Sequence, residues 1–250
     1  MVLSQSDLYR AFDTPPDQIV EFLVWLAGSV SLDADPLVAD IGAGPGRLFA
    51  PLVARGWSIT AYEPDQDYFA TASGLAASIG TQIIVKHGGF EDISETAVFD
   101  MVLGINSSFA HLLTPAQRAS GLDHVRRALR PGGLVVLDLP NFPWILEHYR
   151  SPAPMERPLD GGNIRLEREH KIDRENSTFT TVDHYSVTRR GLDPQITVKT
   201  HAYAIVSSEE LRAQLATAGF GDVRDFTSFG SRVANIPGPR LLLVARARAA

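Results

Sequence analysis

The stretch Leu37-Val38-Ala39-Asp40-Ile41-Gly42-Ala43-Gly44-Pro45-Gly46-Arg47-Leu48 constrains this chain more than any other. A short apolar run ends in an acid, three glycines follow at alternate positions, and a helical pattern begins at Arg47. That order reads as strand, tight turn, helix. Glycine at such a turn permits positive φ and lets a ligand approach bare backbone, with the turn's N–H groups as donors. Open parallel α/β sheets bind their ligands at the carboxyl ends of the strands, where this turn would lie.

The chain around the turn supports such a sheet. Leu8, Tyr9 and Phe12 share a helical spacing ahead of Thr14-Pro15-Pro16. Ile19, Val20, Phe22, Leu23 and Leu26 form a second helical stripe, closed by Gly28. A helix is expected over Arg47–Ala54 and a strand over Trp57–Tyr62, ending at Glu63-Pro64-Asp65. An Ala-rich helix from about Gln66 to Ser78 is stopped by Gly80, and strands follow at Thr81–Lys86 and Phe99–Gly104. Thr114 is a suitable N-cap and Pro115 a suitable first residue for a helix running to about Leu129. Arg130-Pro131-Gly132-Gly133 reads as a turn, and Leu134–Leu139 as a fifth strand, apolar on both faces. Strands alternating with helices, several of them apolar throughout, indicate a parallel sheet covered on both sides.

After Pro140 the pattern changes. Residues 140–160 are rich in Pro and aromatics and read as a lid with a short helix at Trp144–Tyr149. Three segments of period-two alternation follow, around Ile164 and Leu166, Phe179 to Val187, and Ile196 to Ile205. They form an antiparallel insert, punctuated by Asp160-Gly161-Gly162, Arg174-Glu175-Asn176 and Gly191-Leu192-Asp193-Pro194. A helix capped by Ser207 or Ser208 and two strands, about Asp222–Phe229 and Arg240–Arg246, complete the chain. The expected division is 1–140 with 207–250 as the ligand-binding domain, 1–30 as its helical cap, and 141–206 as lid and cover.

At 250 residues the chain can bury a full core, and it has no cysteine, which removes disulfides, thiolate metal sites and cysteine nucleophiles. A net charge of −6 argues against a general phosphate-backbone binder. No apolar run has membrane-spanning length and residues 1–13 lack a signal pattern, so a soluble cytoplasmic protein is the expectation, without membrane or nucleic-acid partners.

Three loops, 40–46, 63–65 and 88–92, lie at strand ends on one sheet edge and carry acids beside Gly or Pro. Glu63 ends the strand after the glycine turn, where a carboxylate accepts bonds from both ribose hydroxyls. The spacing Gly42-x-Gly44-x-Gly46 departs from the Gly-x-Gly-x-x-Gly of dinucleotide sites, and Asp40 would oppose a pyrophosphate. An acid there suits a cation, an α-ammonium or a sulfonium-bearing amino acid. No Gly-x-x-x-x-Gly-Lys-Ser/Thr phosphate loop occurs.

Val38–Gly46 resembles motif I of the class I S-adenosylmethionine-dependent methyltransferases. Tyr62-Glu63-Pro64 resembles the acidic end of their second strand, and Leu129-Arg130-Pro131-Gly132-Gly133 the turn before their fifth. The resemblance covers 36–140 and returns with 207–246. It implies a Rossmann-like, seven-stranded, mostly parallel sheet with helices on both faces and an antiparallel β insert after the fifth strand. By position it puts Asp40, Gly42 and Gly44 on the methionine part, Glu63 on the ribose and Phe90 beside the adenine, with Ala43, Gly46, Pro64 and Ile105 completing the set. Where the family reads Gly-Asp for the adenine amino group, this chain has Gly88-Gly89, leaving Glu91 or Asp92 as the substitute.

Asn106-Ser107-Ser108-Phe109-Ala110-His111-Leu112 resembles the Ser-Ser-x-x-His-Leu loop of the amino-sugar methyltransferases of antibiotic biosynthesis, and the insert resembles theirs. That implies methyl transfer to a nitrogen or oxygen of a small molecule in secondary metabolism, by in-line displacement, releasing S-adenosylhomocysteine. Alignment of nucleophile, methyl and sulfur can supply roughly 7–11 kcal/mol. His111 is the candidate base and Asn106 the candidate for orienting the acceptor; a histidine bonded to backbone and a loop-turn asparagine are the blander alternatives. Tyr9, Asn141, Trp144 and Tyr149, with Tyr185 and Tyr203, are acceptor-site candidates against ordinary core packing. The Arg/Glu run 165–174 reads as a solvated strand face, or as an anion site. His-x-x-x-His spacing is absent and no metal is expected. Other uses of the fold stay open: bound S-adenosylmethionine kept structurally for a cyclisation or elimination, a macromolecular acceptor, or a nicotinamide dehydrogenase, the last disfavoured by the glycine spacing. A homodimer is compatible with the sequence.

Overall fold

The computed structural model describes residues 2–30, 32, 35–233 and 238–248. Strands β1 (Leu37–Ile41), β2 (Ser58–Glu63), β3 (Ile83–His87), β4 (Phe99–Gly104), β5 (Leu129–Pro140), β10 (Phe220–Phe226) and β11 (Arg240–Ala247) form one seven-stranded sheet. Its order is β10-β11-β5-β4-β1-β2-β3, parallel throughout except for β11, which lies antiparallel to both β5 and β10. The order reverses between β1 and β4, so the glycine turn after β1 and the loop after β4 face each other at the switch point, where such sheets bind ligands.

Alternate residues of the central strands enter separate cores. Val38, Met101, Leu103, Leu134, Val136, Leu242 and Val244 pack under α2 (Asp17–Ser29), α3 (Phe49–Val53) and α4 (Gln66–Ile79). Ala39, Val102, Val135, Leu137, Leu243 and Ala245 pack on the other face with α5 (Pro115–Ala128) and α7 (Ser208–Thr217). Both sides buried is what continuous apolar strands require. The helix ends follow local chemistry: Asp65 caps α4, Thr114 and Gln117 form a capping box on α5, Ser207 caps α7, and Gly80 ends α4 at φ 143°. The helix α1 (Gln5–Phe12) has a capping box from Ser4 and Asp7.

The second sheet holds four antiparallel strands in chain order: β6 (Met155–Leu159), β7 (Gly162–Asp173), β8 (Thr178–Arg189) and β9 (Leu192–Ala204). The expected three strands thus become four, because Met155–Leu159 pairs with Gly162–Leu166 across the Asp160-Gly161 turn. Pro158 and Pro194 sit on the two edge strands. The short helix after Pro140, α6, covers Phe142–Glu147 and starts two residues earlier than the expected Trp144. The expected turn at 130–133 is an irregularity within β5: Phe99 pairs with Leu129 but Met101 with Leu134, and Gly132 takes φ 80° there.

Helix α1 joins the two sheets. Leu8 packs with Ile164, Leu166, Tyr185 and Val187 of the second sheet. The Gln195 amide makes a two-point contact with the Leu3 backbone, 2.9 Å in each direction. Ser6 meets Thr71 of α4 at 2.8 Å.

Candidate active site

A cavity of about 900 Å³ lies between the carboxyl ends of β1, β2 and β4, helix α1, and the inner face of the second sheet. Gly42, Gly44 and Gly46 take φ values of 72°, 57° and 85°. Their roles differ. A Cβ on Gly42 would stand 2.5 Å from the Ser108 Cβ, so glycine lets the loop after β4 close onto the turn. A Cβ on Gly44 would meet nothing within 4 Å. Gly46 does not line the cavity; its missing Cβ makes room for the Phe49 ring, 2.6 Å from where it would be. Gly46→Ala should therefore destabilise the fold by about 1–3 kcal/mol, through overpacking and backbone strain, and thermal unfolding measures that directly.

The turn's donors are engaged within the chain. The N–H groups of Gly42 and Ala43 both donate to the Tyr62 carbonyl, at 2.7 and 3.1 Å. That of Gly44 donates to Glu63 Oε2 at 2.7 Å, while Asp65 N–H donates to Oε1 at 2.8 Å. The expected set of free N–H donors is thus replaced by a smooth floor and an oriented carboxylate. Burial raises the Glu63 carboxyl above its ordinary range, and the bonds from Asp65 and Gly44 oppose that rise. Each of its oxygens keeps one lone pair for a further donor.

Asp40 is 3% exposed and lines the cavity, and its carboxylate receives no hydrogen bond from the described residues. Burial pushes its carboxyl up to about 7, against the pull of Arg47. Arg47 is held by Asp13, just past α1, at 2.6 Å. A cation delivered beside Asp40 would restore the ionised form. Ala43, Pro64, Phe90, Glu91, Asp92 and Ile105 also line the cavity. Asp92 is partly engaged, accepting from Gly89 N–H at 2.7 Å, whereas the Glu91 side chain makes no contact of this kind.

Past β4 the backbone is strained. Asn106 and Ser107 take φ values of 55° and 74°, sparsely populated for residues other than glycine. Asp138 of β5 holds them there: its Oδ2 accepts from Asn106 N–H at 2.9 Å and its carbonyl from Ser107 N–H at 2.8 Å. Arg240 of β11 donates to Asp138 Oδ1 at 2.9 Å and to Ser107 Oγ at 3.2 Å. Neither residue was expected at the site. The available signal was an acid inside the apolar run Leu137-Asp138-Leu139. The Ser108 hydroxyl is buried without a partner beside this loop.

Asn106 Nδ2 donates to the Tyr9 hydroxyl at 2.7 Å, leaving the phenol proton free to donate elsewhere. His111 lies on the short 3-10 turn Ser108–His111, and its Nδ1 contacts the Ala202 carbonyl of β9 at 3.0 Å. A carbonyl only accepts, so Nδ1 carries the proton and Nε2 keeps its lone pair. Burial, with His201 as a second cause, holds His111 below the ordinary imidazole range. The rings of His111, His201 and Tyr203 cluster, with His111 and Tyr203 centroids 4.7 Å apart.

Tyr9, Asn106, His111, Tyr185 and Tyr203 come together on the cavity wall. Asn141, Trp144 and Tyr149 do not. Asn141 holds the Gly238 carbonyl at 2.8 Å and the Pro239 carbonyl at 2.9 Å, Trp144 stacks on His148, and the Tyr149 hydroxyl contacts His170 at 3.2 Å. The earlier start of α6 turns Phe142 and Ile145, one helical turn apart, to the cavity instead. The charged run 165–174 divides: Arg165 pairs with Glu156 and Glu167 on the outer face, while Arg168 lines the cavity against Asp183. Among the described residues no group of three or more His, Cys, Asp or Glu is arranged to hold a metal.

The sheet order is the Rossmann-like one found in S-adenosylmethionine-dependent methyltransferases of known structure. Residues 38–133 match the family described as "Methyltransferase domain". A stretch of 139 residues is 24% identical to glycine N-methyltransferase of Rattus norvegicus, covering 50% of this chain and 47% of that one. The chain thus spans about half the length of this curated relative. The sugar N-methyltransferase KedS8 from Streptoalloteichus superposes with a TM-score of 0.81 at 19% identity, over 100% of this chain and 95% of its own. Streptomyces venezuelae DesVI superposes with a TM-score of 0.80 at 17% identity, over 100% of both chains. At these identities the likeness is one of fold.

Proposed function

We propose that the chain transfers the methyl group of S-adenosylmethionine to a nitrogen of a small, oxygen-bearing acceptor, with S-adenosylhomocysteine as the second product. The observation that carries this reading is the pair of buried carboxylates, Asp40 and Glu63, at the glycine turn. The Asp40 carboxylate has no hydrogen-bond partner among the described residues and lines the same cavity as Gly44, which suits the α-ammonium of the methionine part. Glu63, fixed by two backbone donors, has lone pairs left for both ribose hydroxyls. Phe90, Ile105 and Glu91 are assigned to the adenine, with Glu91 accepting from its amino group in place of the acid missing at Gly89. Residues 1–140 with 207–250 make the cofactor unit, and 141–206 the acceptor cover.

S-Adenosylmethionine supplies an already activated methyl group, so the chain has to align the acceptor and remove one proton. Asn106 and Tyr9 orient the acceptor through the amide oxygen and the free phenol proton. His111 Nε2 receives the acceptor proton, its tautomer set by Ala202. The nitrogen is favoured over oxygen because a neutral imidazole is matched to an ammonium proton and not to that of an alkyl alcohol. The small acceptor follows from the cavity's cover, which closes over His111 with β9 and over the turn with α1.

Calorimetry with S-adenosylhomocysteine tests the reading, with one site per chain expected and no binding excluding it. Incubation with S-adenosylmethionine and an amine panel then shows consumption, whereas cofactor that stays bound and unconsumed would favour the structural use.

The pH dependence of that binding is a further expected result. Above about 7 Asp40 is ionised and holds the ammonium; below it the acid is protonated and the attraction is lost. Affinity should therefore fall as pH is lowered through about 7, approaching roughly tenfold per pH unit at the limit of full coupling. Asp40→Asn should flatten the profile, and an unchanged slope in that variant would move the titrating group elsewhere.

A further inference from the structure

The inner face of the second sheet is largely apolar near α1: Ile164 and Leu166 of β7 stand opposite Val187 and Tyr185 of β8. One pair of opposite charges breaks the pattern. Arg168 stands directly opposite Asp183, and both line the cavity. The guanidinium grips the carboxylate at two points, Nε to Oδ1 at 2.5 Å and Nη2 to Oδ2 at 2.6 Å. Asp183 is 2% exposed, while about a third of the Arg168 side chain, 35%, stays open.

Stability does not explain this pair. Desolvation offsets the attraction of a buried ion pair, and packed apolar residues in its place are often as stable or more so. Proton removal does not explain it either, since that falls to His111. What the pair does provide is a fixed set of donors. Of five guanidinium N–H groups, the carboxylate engages one on Nε and one on Nη2. The two on Nη1 have no partner among the described residues. The arginine cannot swing away, and its charge is already matched. Lys199, the neighbouring cation on β9, is likewise occupied: its Nζ reaches Asp65 Oδ2 at 3.5 Å and lies 4.7 Å from the Tyr68 ring centroid. Burial holds His170 and His201 below the ordinary imidazole range. The wall thus presents donors without net charge.

We propose that Arg168, locked by Asp183, is the specificity-determining residue of the acceptor site, donating from Nη1 to the hydroxyl or ring oxygens of an uncharged, polyoxygenated part of the acceptor. The proposal rests on the reading of this chain as a small-molecule methyltransferase. A site built to donate to oxygen rejects the analogue lacking it, because its buried donors are then left unpaired. A free carboxylate or phosphate is not favoured, since no unmatched cation among the described residues meets it there.

The test uses the full chain saturated with S-adenosylhomocysteine and three probes: 3-amino-3-deoxy-D-glucose, cyclohexylamine and β-alanine, each titrated by calorimetry. The sugar amine should bind at least about tenfold tighter than cyclohexylamine, and β-alanine no better than cyclohexylamine. Arg168→Met should bring the sugar amine down to the level of cyclohexylamine, and Asp183→Asn, which frees the guanidinium, should reduce the ratio severalfold. Affinity for S-adenosylhomocysteine should stay within about twofold in both variants, which also shows that they fold. Equal binding of the two amines to the unaltered chain, no binding of any probe, tightest binding of β-alanine, or an unchanged ratio in Arg168→Met would each overturn the proposal. Failure of S-adenosylhomocysteine to bind the unaltered chain appears before any probe is added and would count against the underlying function instead.

Discussion

Replacing Glu63 with alanine should weaken S-adenosylmethionine binding by about a hundredfold or more. Two hydroxyl bonds to a carboxylate contribute roughly 1.5–3 kcal/mol each, and the substitution removes both. It also frees the N–H groups of Gly44 and Asp65, whose bonds to this carboxylate tie the glycine turn to the end of β2. Glu63→Gln keeps the size and one acceptor oxygen, so its loss should be smaller, about tenfold. Calorimetry on the three proteins separates these terms, and an alanine variant with unaltered affinity would remove Glu63 from the ribose.

The second large effect belongs to His111. His111→Ala should lower turnover by about 10²–10⁴ with an amine acceptor, the usual range for a lost general base. Binding of S-adenosylhomocysteine should persist, since no contact assigned to the cofactor passes through this ring. The pH profile adds a separate check. The imidazole is held below its ordinary range by burial and by His201, so its basic form persists as pH falls through that range. Turnover limited by this base should fall only at pH below the ordinary imidazole range. Supplying free imidazole to the alanine variant should restore part of the rate, a response that a purely structural histidine would not give.

The glycine-turn side of the cavity was legible in the sequence because its information is local. The apolar runs of β1 and β4, the alternate glycines, and the acid closing β2 each depend on neighbours within a few positions. The opposite wall of the cavity depends on distant pairs. Arg240 meets Asp138 and Ser107 across 102 and 133 positions, and only the antiparallel placement of β11 beside β5 brings them together. The Arg168–Asp183 pair likewise needs the β7–β8 register; without it, Arg168 looks like one more charge in the run 165–174. β6 is not legible in the sequence because Met-Glu-Arg-Pro-Leu carries two charges and a proline, compatible with an edge strand and equally with a loop. Trp144 and Tyr149 are the conspicuous aromatics of the lid, yet two residues' difference in where α6 begins turns Phe142 and Ile145 inward instead. The donors expected of the glycine turn differ for a related reason: whether an N–H is free depends on β2, which pairs alongside β1 and places the Tyr62 carbonyl in reach.

The bond from His111 to the Ala202 carbonyl has a consequence for how such a protein can diversify. The second sheet sets the His111 tautomer through a peptide group, which every amino acid carries. Side chains along β7, β8 and β9 can therefore be exchanged to suit a new acceptor while the proton stays on the same ring nitrogen. An inserted or deleted residue in β9 would do the opposite. It would shift the carbonyl off His111 and also flip the strand's inward and outward sets, disabling the chemistry together with the recognition. Grafting covers between relatives should accordingly tolerate wide divergence in composition and almost none in the spacing between the 3-10 turn at His111 and its partner on β9.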